Sequence, residues 1–162
     1  MGERLNGIIE RMQEKGAETL AFFGELHPDD WEIVVYTEGT DWTPREVMCH
    51  FVSAERAFLR IFEDVVAGGE GAPEGIDINE FNEGEVAGMA DQSPSALIDQ
   101  FREARADTVA FLQTLDDADL DREGRHPWFG FDKIEKFIKL TYRHNMIHQR
   151  DIRRTLNGED AA

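Results

Sequence analysis

The sequence has a single cysteine, Cys49, which excludes an internal disulfide and gives no indication of an oxidising compartment. It also has no run approaching the roughly 20 apolar residues that a membrane-spanning helix needs. The N-terminal sequence MGERLNG is charged at Glu3 and Arg4 and lacks the apolar segment of a signal peptide. We therefore expect a cytoplasmic protein with no membrane partner.

Positive charge is scarce as well. The chain has 17 basic and 34 acidic residues, which gives a formal net charge of -17 and a field that repels phosphate backbones. We therefore expect no nucleic-acid partner. With 162 residues, 41% of them hydrophobic, the chain is long enough to bury one sizeable core. The expectation is a single domain over residues 1–162.

Helical periodicity occurs in four long segments. The first covers about residues 4–26 and ends at the His27-Pro28 pair, because the residue before a proline disfavours helix. The second begins at Thr43-Pro44, where Glu46 completes a capping-box pattern. It runs to about Val65 and ends in the glycine-rich sequence AGGEGAP, which cannot sustain a helix.

The other two long segments cover about residues 93–115, which open with Ser-Pro, and about residues 132–156. A long acidic connection, about residues 68–92, separates the second segment from the third and contains the sequence DINEFNEGEVAGM, a candidate short helix. The only strand pattern is WEIVVY at residues 31–36. These patterns predict an all-α fold, a four-helix bundle with a long connection between its second and third helices.

Two histidines on the last helix form the clearest functional signal. His144 and His148 are four residues apart, so their side chains point about 40° apart and can share one metal ion. The helical wheel places both on the apolar side, opposite a polar arc that includes Gln149 and Arg150. Two buried imidazoles need partners for their ring nitrogens, and a divalent metal serves both at once. The alternative is a pair of hydrogen-bonded core histidines.

His50 is the candidate third ligand, because it lies one turn into the second helix on the flank of its apolar stripe. Three histidines from two helices leave coordination positions open for water or substrate, as in catalytic metal sites. His27 and His126 each precede a proline, which is typical of surface or turn positions, although His126 could lie near a pocket mouth. Trp42, Trp128 and Phe129 could line such a mouth, with the core or a dimer interface as the alternative.

Three further residues near these histidines are candidates with weaker support. Cys49 projects about 100° away from His50 around the helix, so we interpret it as a packed structural cysteine. Asp151 lies beside the histidine pair on the wheel and could be a carboxylate behind a ligand or a base near bound water. Glu55 is another candidate partner behind a ligand, with a solvated helix position as the alternative.

Taken in order, these motifs resemble one known family. The sequence WTPREVMCH at residues 42–50, then Glu55, the pair Phe81-Asn82 and finally HxxxHxxxI at residues 144–152 resemble the DinB/YfiT-like family over nearly the whole chain. The resemblance implies a four-helix bundle, usually a homodimer. It also implies one divalent metal, typically zinc or nickel, held by three histidines that match His50, His144 and His148.

The same resemblance implies an activity. The family includes thiol-dependent enzymes such as mycothiol-dependent maleylpyruvate isomerase and bacillithiol S-transferases. By this likeness the chain is expected to be a metal-dependent enzyme with S-transferase chemistry on a small electrophile, using a low-molecular-weight thiol as cosubstrate. Two alternatives stay open: metal-dependent hydrolysis of a small molecule, and a non-catalytic metal-binding bundle that acts in a stress response.

Overall fold

Five α-helices and one β-hairpin make up the computed structural model, which describes residues 2–159. The helices are α1 (Glu3–Gly24), α2 (Pro44–Val66), α3 (Ile78–Gly88), α4 (Pro94–Leu112) and α5 (Ile134–Leu156). Strands β1 (Glu123–His126) and β2 (Gly130–Lys133) pair antiparallel immediately before α5. Short 3-10 helices lie at Pro28–Glu32 and Asp119–Asp121.

The four long helices form a closed ring of contacts. Both α2 and α1 pack against α4 and α5, and α3 packs against α2 from within the connection that joins α2 to α4. The predicted all-α four-helix bundle with a long second connection is therefore confirmed. Among residues 2–159 no helix is long and apolar enough to span a bilayer.

The predicted starts of α2 and α4 are also confirmed, and their caps explain them. Thr43 Oγ1 accepts a hydrogen bond from the Arg45 amide at 3.2 Å, and Glu46 Oε2 accepts one from the Thr43 amide at 2.9 Å. At the start of α4, Ser93 Oγ accepts a hydrogen bond from the Ala96 amide at 3.2 Å. These caps fix where α2 and α4 begin, and so which of their residues face the bundle interior.

Two apolar clusters fill the bundle, one towards each end. One includes Leu5, Phe62, Leu112 and Phe137. The other includes Phe23, Phe51, Phe101 and Ile152. Between the two clusters each long helix places at least one buried polar side chain, and together these form what we call the polar layer: Thr19, Glu55, Arg105, Asn145 and Gln149. The core is therefore divided by a belt of hydrogen-bonding groups.

An ion pair joins three helices within the polar layer. Arg105 Nε lies 2.7 Å from Glu55 Oε1 and Arg105 Nη2 lies 3.0 Å from Glu55 Oε2, while Nη1 donates to the Met12 carbonyl of α1 at 3.0 Å. Both side chains are almost fully buried. Gly16 makes room for the arginine stem, since a Cβ there would lie 3.1 Å from Arg105 Cγ. The bidentate geometry supplies the partners that two buried charges require.

The predicted strand at residues 31–36 is wrong. Trp31 lies in the 3-10 helix Pro28–Glu32, which His27 caps, and only an isolated bridge from Tyr36 to Trp42 has strand character. Trp31 and Val35 are buried without strand pairing, while Ile33 and Val34 between them are exposed. An apolar run of this kind therefore does not require a strand.

The β-hairpin is absent from the sequence-based prediction. It occupies the aromatic, turn-rich segment before α5, and Gly130, with a φ of 68°, takes the left-handed conformation at the start of β2. Because β2 continues to Lys133, α5 begins at Ile134, two residues later than predicted. Helix α4, which was predicted to run to about residue 115, ends at Leu112, although Leu115 is still buried.

Removing one partner of the buried ion pair is expected to destabilise the bundle strongly. Glu55→Gln leaves the Arg105 guanidinium buried without its counter-charge, so the free energy of unfolding should fall by about 3–5 kcal/mol. Urea denaturation measures the difference. Asp99→Asn, which removes the partner of the exposed Arg102, is the matched control and should change stability by less than about 0.5 kcal/mol. Equal effects in the two variants would contradict the role given to the pair.

Candidate metal centre

Three histidine nitrogens meet inside the bundle. His144 Nε2 lies 2.9 Å from His50 Nε2 and 3.0 Å from His148 Nε2. His50 comes from the first third of α2, and the other two come from successive turns of α5. The three histidines that the sequence singled out are therefore brought together, and they form a group that could hold a metal ion.

The spacing of these nitrogens fits a shared cation better than hydrogen bonds. A neutral imidazole carries one N–H, so His144 Nε2 cannot make a good hydrogen bond to both neighbours at once, and one contact brings two lone pairs together. Nitrogens bound to zinc at about 2.0–2.1 Å lie roughly 2.9–3.4 Å apart for ordinary bond angles. The two separations from His144 Nε2, 2.9 Å and 3.0 Å, fall in that range, and all three ligand atoms lie within 4.8 Å of one another.

A relay of side chains orients His148. The Asp151 carboxylate can only accept a hydrogen bond, so the Tyr36 hydroxyl donates to Asp151 Oδ2 at 2.8 Å. The Tyr36 oxygen, 2.8 Å from His148 Nδ1, then accepts the Nδ1–H of that ring. This tautomer leaves the His148 Nε2 lone pair free and directed at the nitrogen cluster, an arrangement typical of metal-bound histidines.

The other two histidines are held by packing. The His50 ring lies 5.2 Å from the Trp42 ring, and the His144 ring lies 5.9 Å from the Phe51 ring. The Nδ1 atoms of His50 and His144 have no hydrogen-bond partner within residues 2–159. Their orientation therefore depends on the apolar side chains around them.

Burial keeps all three imidazoles neutral. It lowers the pKa of His50 to about 3 and the pKa of His148 to about 4, and it moves the pKa of His144 well below its ordinary value. Mutual repulsion adds to the shift, since a second positive charge among His50, His144 and His148 is unfavourable. At pH 7 each ring therefore has a nitrogen lone pair, the form in which histidine binds metals.

A pocket of about 220 Å³ reaches this cluster. His50 and His144 lie in its wall, and the remaining lining comes from α2, α3, the hairpin and α5. Most of the lining is aliphatic or aromatic, and Trp128 and Phe129, both more than half exposed, belong to it. The pocket is lined by His50, Ala54, Ala57, Phe58, Ile61, Ile78, Phe81, Asn82, His126, Pro127, Trp128, Phe129, Leu140, His144 and Ile147.

Two carboxylates considered from the sequence do not line this pocket. Glu55 is buried and fully engaged by Arg105, which corrects both alternatives considered for it. Asp151 is bound by Tyr36 through one oxygen and by Arg150 through the other, so it acts behind His148 and not as a base facing the pocket. Cys49 is buried as predicted, and burial raises the pKa of its thiol to about 11, which keeps it protonated.

Three positions differ from the expectation. His126 is not at the surface: its side chain is buried and belongs to the pocket wall, which agrees with the alternative position near a pocket. Gln149 is also buried, and its Nε2 donates a hydrogen bond to Thr19 Oγ1 of α1 at 2.8 Å. The buried arc of α5 is therefore wider than its apolar residues alone predict. Tyr36 was missed, and its position in a loop far from the histidines in sequence gave no signal of a contact with His148.

These features define a class of protein: a four-helix bundle in which histidines of two helices converge beside an apolar pocket. Residues 9–152 match the sequence profile of the DinB superfamily, and the chain belongs to this superfamily. The resemblance noted from the sequence is thereby confirmed. No curated protein matches the chain significantly.

Solved structures show the same fold. The mycothiol-dependent maleylpyruvate isomerase superimposes with a TM-score of 0.77 at 15% identity, over 94% of this chain. The chain spans only 63% of the length of that enzyme. YfiT from Bacillus subtilis, described as a probable metal-dependent hydrolase with an unusual four-helix bundle topology, gives a TM-score of 0.75 at 19% identity, over 99% of this chain and 91% of YfiT.

A third similar structure contains nucleic acid. The colibactin self-resistance protein ClbS, solved in complex with double-stranded DNA, gives a TM-score of 0.72 at 12% identity, over 93% of this chain and 95% of ClbS. At such identities the likeness concerns the fold alone. The three proteins share one architecture, but the functions described for them differ.

Weakening the relay behind His148 is expected to weaken metal binding without abolishing it. Tyr36→Phe removes the acceptor of the His148 Nδ1–H, so affinity for Zn²⁺ should fall by about 10- to 100-fold. His144→Ala removes a ligand and should lose the metal altogether. Isothermal titration with Zn²⁺ measures both effects. Cys49→Ala is the matched control beside His50 and should bind like wild type; weaker binding in this control would assign the thiol to the site.

Proposed function

We propose that the chain is a divalent-metal-dependent enzyme in which His50, His144 and His148 hold one zinc or nickel ion. The observation that supports this is the convergence of three neutral imidazole nitrogens beside an apolar pocket. A purely structural site would be closed by a fourth protein ligand. Here the group of close ligand atoms found within residues 2–159 contains three residues, and two of them line a cavity.

The proposed reaction is transfer of a low-molecular-weight thiol onto a small electrophile. A divalent ion in the site supplies Lewis acidity, which lowers the pKa of a bound thiol or water so that a nucleophile is available at neutral pH. In the transfer the thiol sulfur forms a bond to the electrophilic carbon, the leaving group departs with the bonding electrons, and the thiol proton passes to solvent. The pocket walls hold the electrophile and exclude water.

The pocket wall favours a thiol over water as the nucleophile. The lining contains no carboxylate, lysine or arginine, so a bound water molecule would have no carboxylate beside it to act as a general base. A thiol has an ordinary pKa near 8.5 and needs much less activation than water does. The mycothiol-dependent isomerase, which has the same fold, provides a precedent for a thiol-dependent reaction.

Metal-dependent hydrolysis is the second candidate. It is supported by the likeness to YfiT, which spans nearly the full length of both chains and is described as a probable metal-dependent hydrolase. The two candidates share the same metal site and differ in the nucleophile. Product analysis separates them, because transfer leaves the thiol attached to the product and hydrolysis leaves a hydroxyl group.

We propose a small molecule as the partner of this site, not nucleic acid. The net charge of -17 opposes binding to phosphate backbones, in spite of the fold shared with ClbS. The homodimer, the single domain over residues 1–162 and the cytoplasmic location all stay predictions. None of them is needed for the chemistry proposed for the histidine cluster.

Metal-loaded protein is expected to conjugate monochlorobimane, an uncharged apolar electrophile, with at least one of a panel of thiols such as glutathione, cysteine, coenzyme A and bacillithiol. The rate, followed by fluorescence, should fall to the uncatalysed value after chelation and in His144→Ala/His148→Ala, because both treatments remove the ion. A panel without any metal-dependent conjugate would overturn the transfer reaction. If cobalt-substituted protein also showed no spectral response to imidazole, the site would be closed and non-catalytic.

Filling the pocket should block turnover and leave the metal in place. Ala57→Trp puts an indole into the cavity from α2 and leaves all three histidines of the cluster in the sequence, so conjugation should fall by at least tenfold while elemental analysis still finds about one ion per chain. Ala110→Trp on the exposed face of α4 is the matched control and should keep wild-type turnover. Full activity in Ala57→Trp would show that the reaction occurs outside this pocket.

A further inference from the structure

A third histidine, His126, lines the pocket beside His50 and His144 and has an unsatisfied ring nitrogen. His126 has a relative exposure of 2%, and its Nε2 atom has no hydrogen-bond partner within residues 2–159. Aromatic rings surround it: the Phe58 ring is stacked on it at 5.5 Å, and the rings of Phe129 and Phe137 lie 4.9 Å away. A buried polar atom in such surroundings is unfavourable unless something binds it.

The local backbone fixes which nitrogen of His126 carries the proton. His126 precedes Pro127, and its Nδ1 accepts a hydrogen bond from the Trp128 amide at 3.1 Å. Because Nδ1 accepts, the proton of the neutral ring is on Nε2, and the unpartnered atom is a donor. Burial lowers the pKa of His126 to about 4, which agrees with a neutral ring at pH 7.

The same turn occurs elsewhere in the chain without this consequence. His27 precedes Pro28, and its Nδ1 accepts a hydrogen bond from the Asp29 amide at 3.3 Å, but its side chain is 71% exposed. There the other ring nitrogen can bind water. The turn therefore explains the conformation and tautomer of His126, whereas it does not explain why a side chain with an unpartnered Nε2–H belongs to an apolar pocket wall.

The pocket restricts what can bind this donor. Its lining has no charged side chain, and the polar groups beyond the histidines are limited to Asn82 and the indole N–H of Trp128. In the metal-free protein, a charged ligand would lose its hydration there without gaining a counter-charge. A cavity of about 150 Å³ is known to hold benzene, so the present volume of about 220 Å³ suits one ring with a few further atoms.

We infer that the His126 Nε2–H is a substrate-binding donor for compact, uncharged molecules, aromatic or similarly apolar, that carry a hydrogen-bond acceptor such as a carbonyl oxygen. The inference names the substrate class of the site described under the proposed function and rests on that proposal for its role in turnover. The binding itself requires no metal. A binding measurement therefore tests the inference separately from the enzyme activity.

Acetophenone and cumene form a matched pair of probes, because they have nearly the same shape and only acetophenone has an acceptor. Their dissociation constants are measured by NMR titration of the protein as purified and after chelation. Changing His126 to Phe keeps the aromatic packing and removes the donor. The preference for acetophenone, expressed as the ratio of the two constants, should then fall by about three- to tenfold. The control variant His27→Phe should keep the wild-type ratio.

A second measurement needs no substitution and so does not depend on the variant folding. In wild-type protein with ¹⁵N-labelled histidine, the Nε2–H resonance of His126 should shift on addition of acetophenone and stay unchanged with cumene. An unchanged ratio in His126→Phe or a His126 resonance that does not respond to acetophenone would overturn the inference. Tighter binding of benzoate than of acetophenone to the chelated protein would overturn it as well. If acetophenone binds in this way and no conjugation is found, the assignment of His126 as a binding residue is supported and the proposed reaction is wrong.

Discussion

The buried pair of Arg105 and Glu55 is the constraint on which the arrangement of this bundle depends. Two charges inside a protein are stable only if each has its partner in good geometry, so α2 and α4 must meet at one relative height. The additional bond from Arg105 to the Met12 carbonyl extends the same requirement to α1. Apolar packing alone tolerates sliding of one helix along another, and this ion pair does not. The register of the helices is thus set by polar contacts at the middle of the core.

The histidine cluster makes use of that register. His50 on α2 can meet His144 and His148 only when α2 and α5 are aligned to within a fraction of a helical turn. The bond from Gln149 to Thr19, in the same polar layer, aligns α5 with α1. The layer that divides the two apolar clusters therefore also positions the nitrogens, and the burial that holds the imidazoles neutral is a property of the whole bundle.

The sequence predicted the parts of this architecture that depend on local rules. Capping boxes, proline positions and helical periodicity located the long helices, and the spacing of His144 and His148 with the position of His50 located the cluster. Contacts between distant segments escaped the same reasoning: Tyr36 meets His148 across 112 residues, and Glu55 meets Arg105 across 50. The strand at residues 31–36 failed for a related reason, since burial in a loop produces the same apolar pattern as pairing in a sheet. The burial of His126 was not predicted, because a His-Pro turn has the same sequence pattern at the surface and in the core.

The pocket is assembled from two kinds of chain segment. The nitrogens belong to α2 and α5, which are fixed by the core, whereas much of the opposite wall belongs to α3 and the β-hairpin, which lie in the connections between long helices. Connecting segments accept substitution, insertion and deletion far more readily than core helices do. In the proposed enzyme, reactivity and selectivity would therefore depend on separate stretches of the polypeptide. A descendant of this chain could acquire a different α3 or a different hairpin and thereby bind a different compound. It would still keep the same three imidazoles.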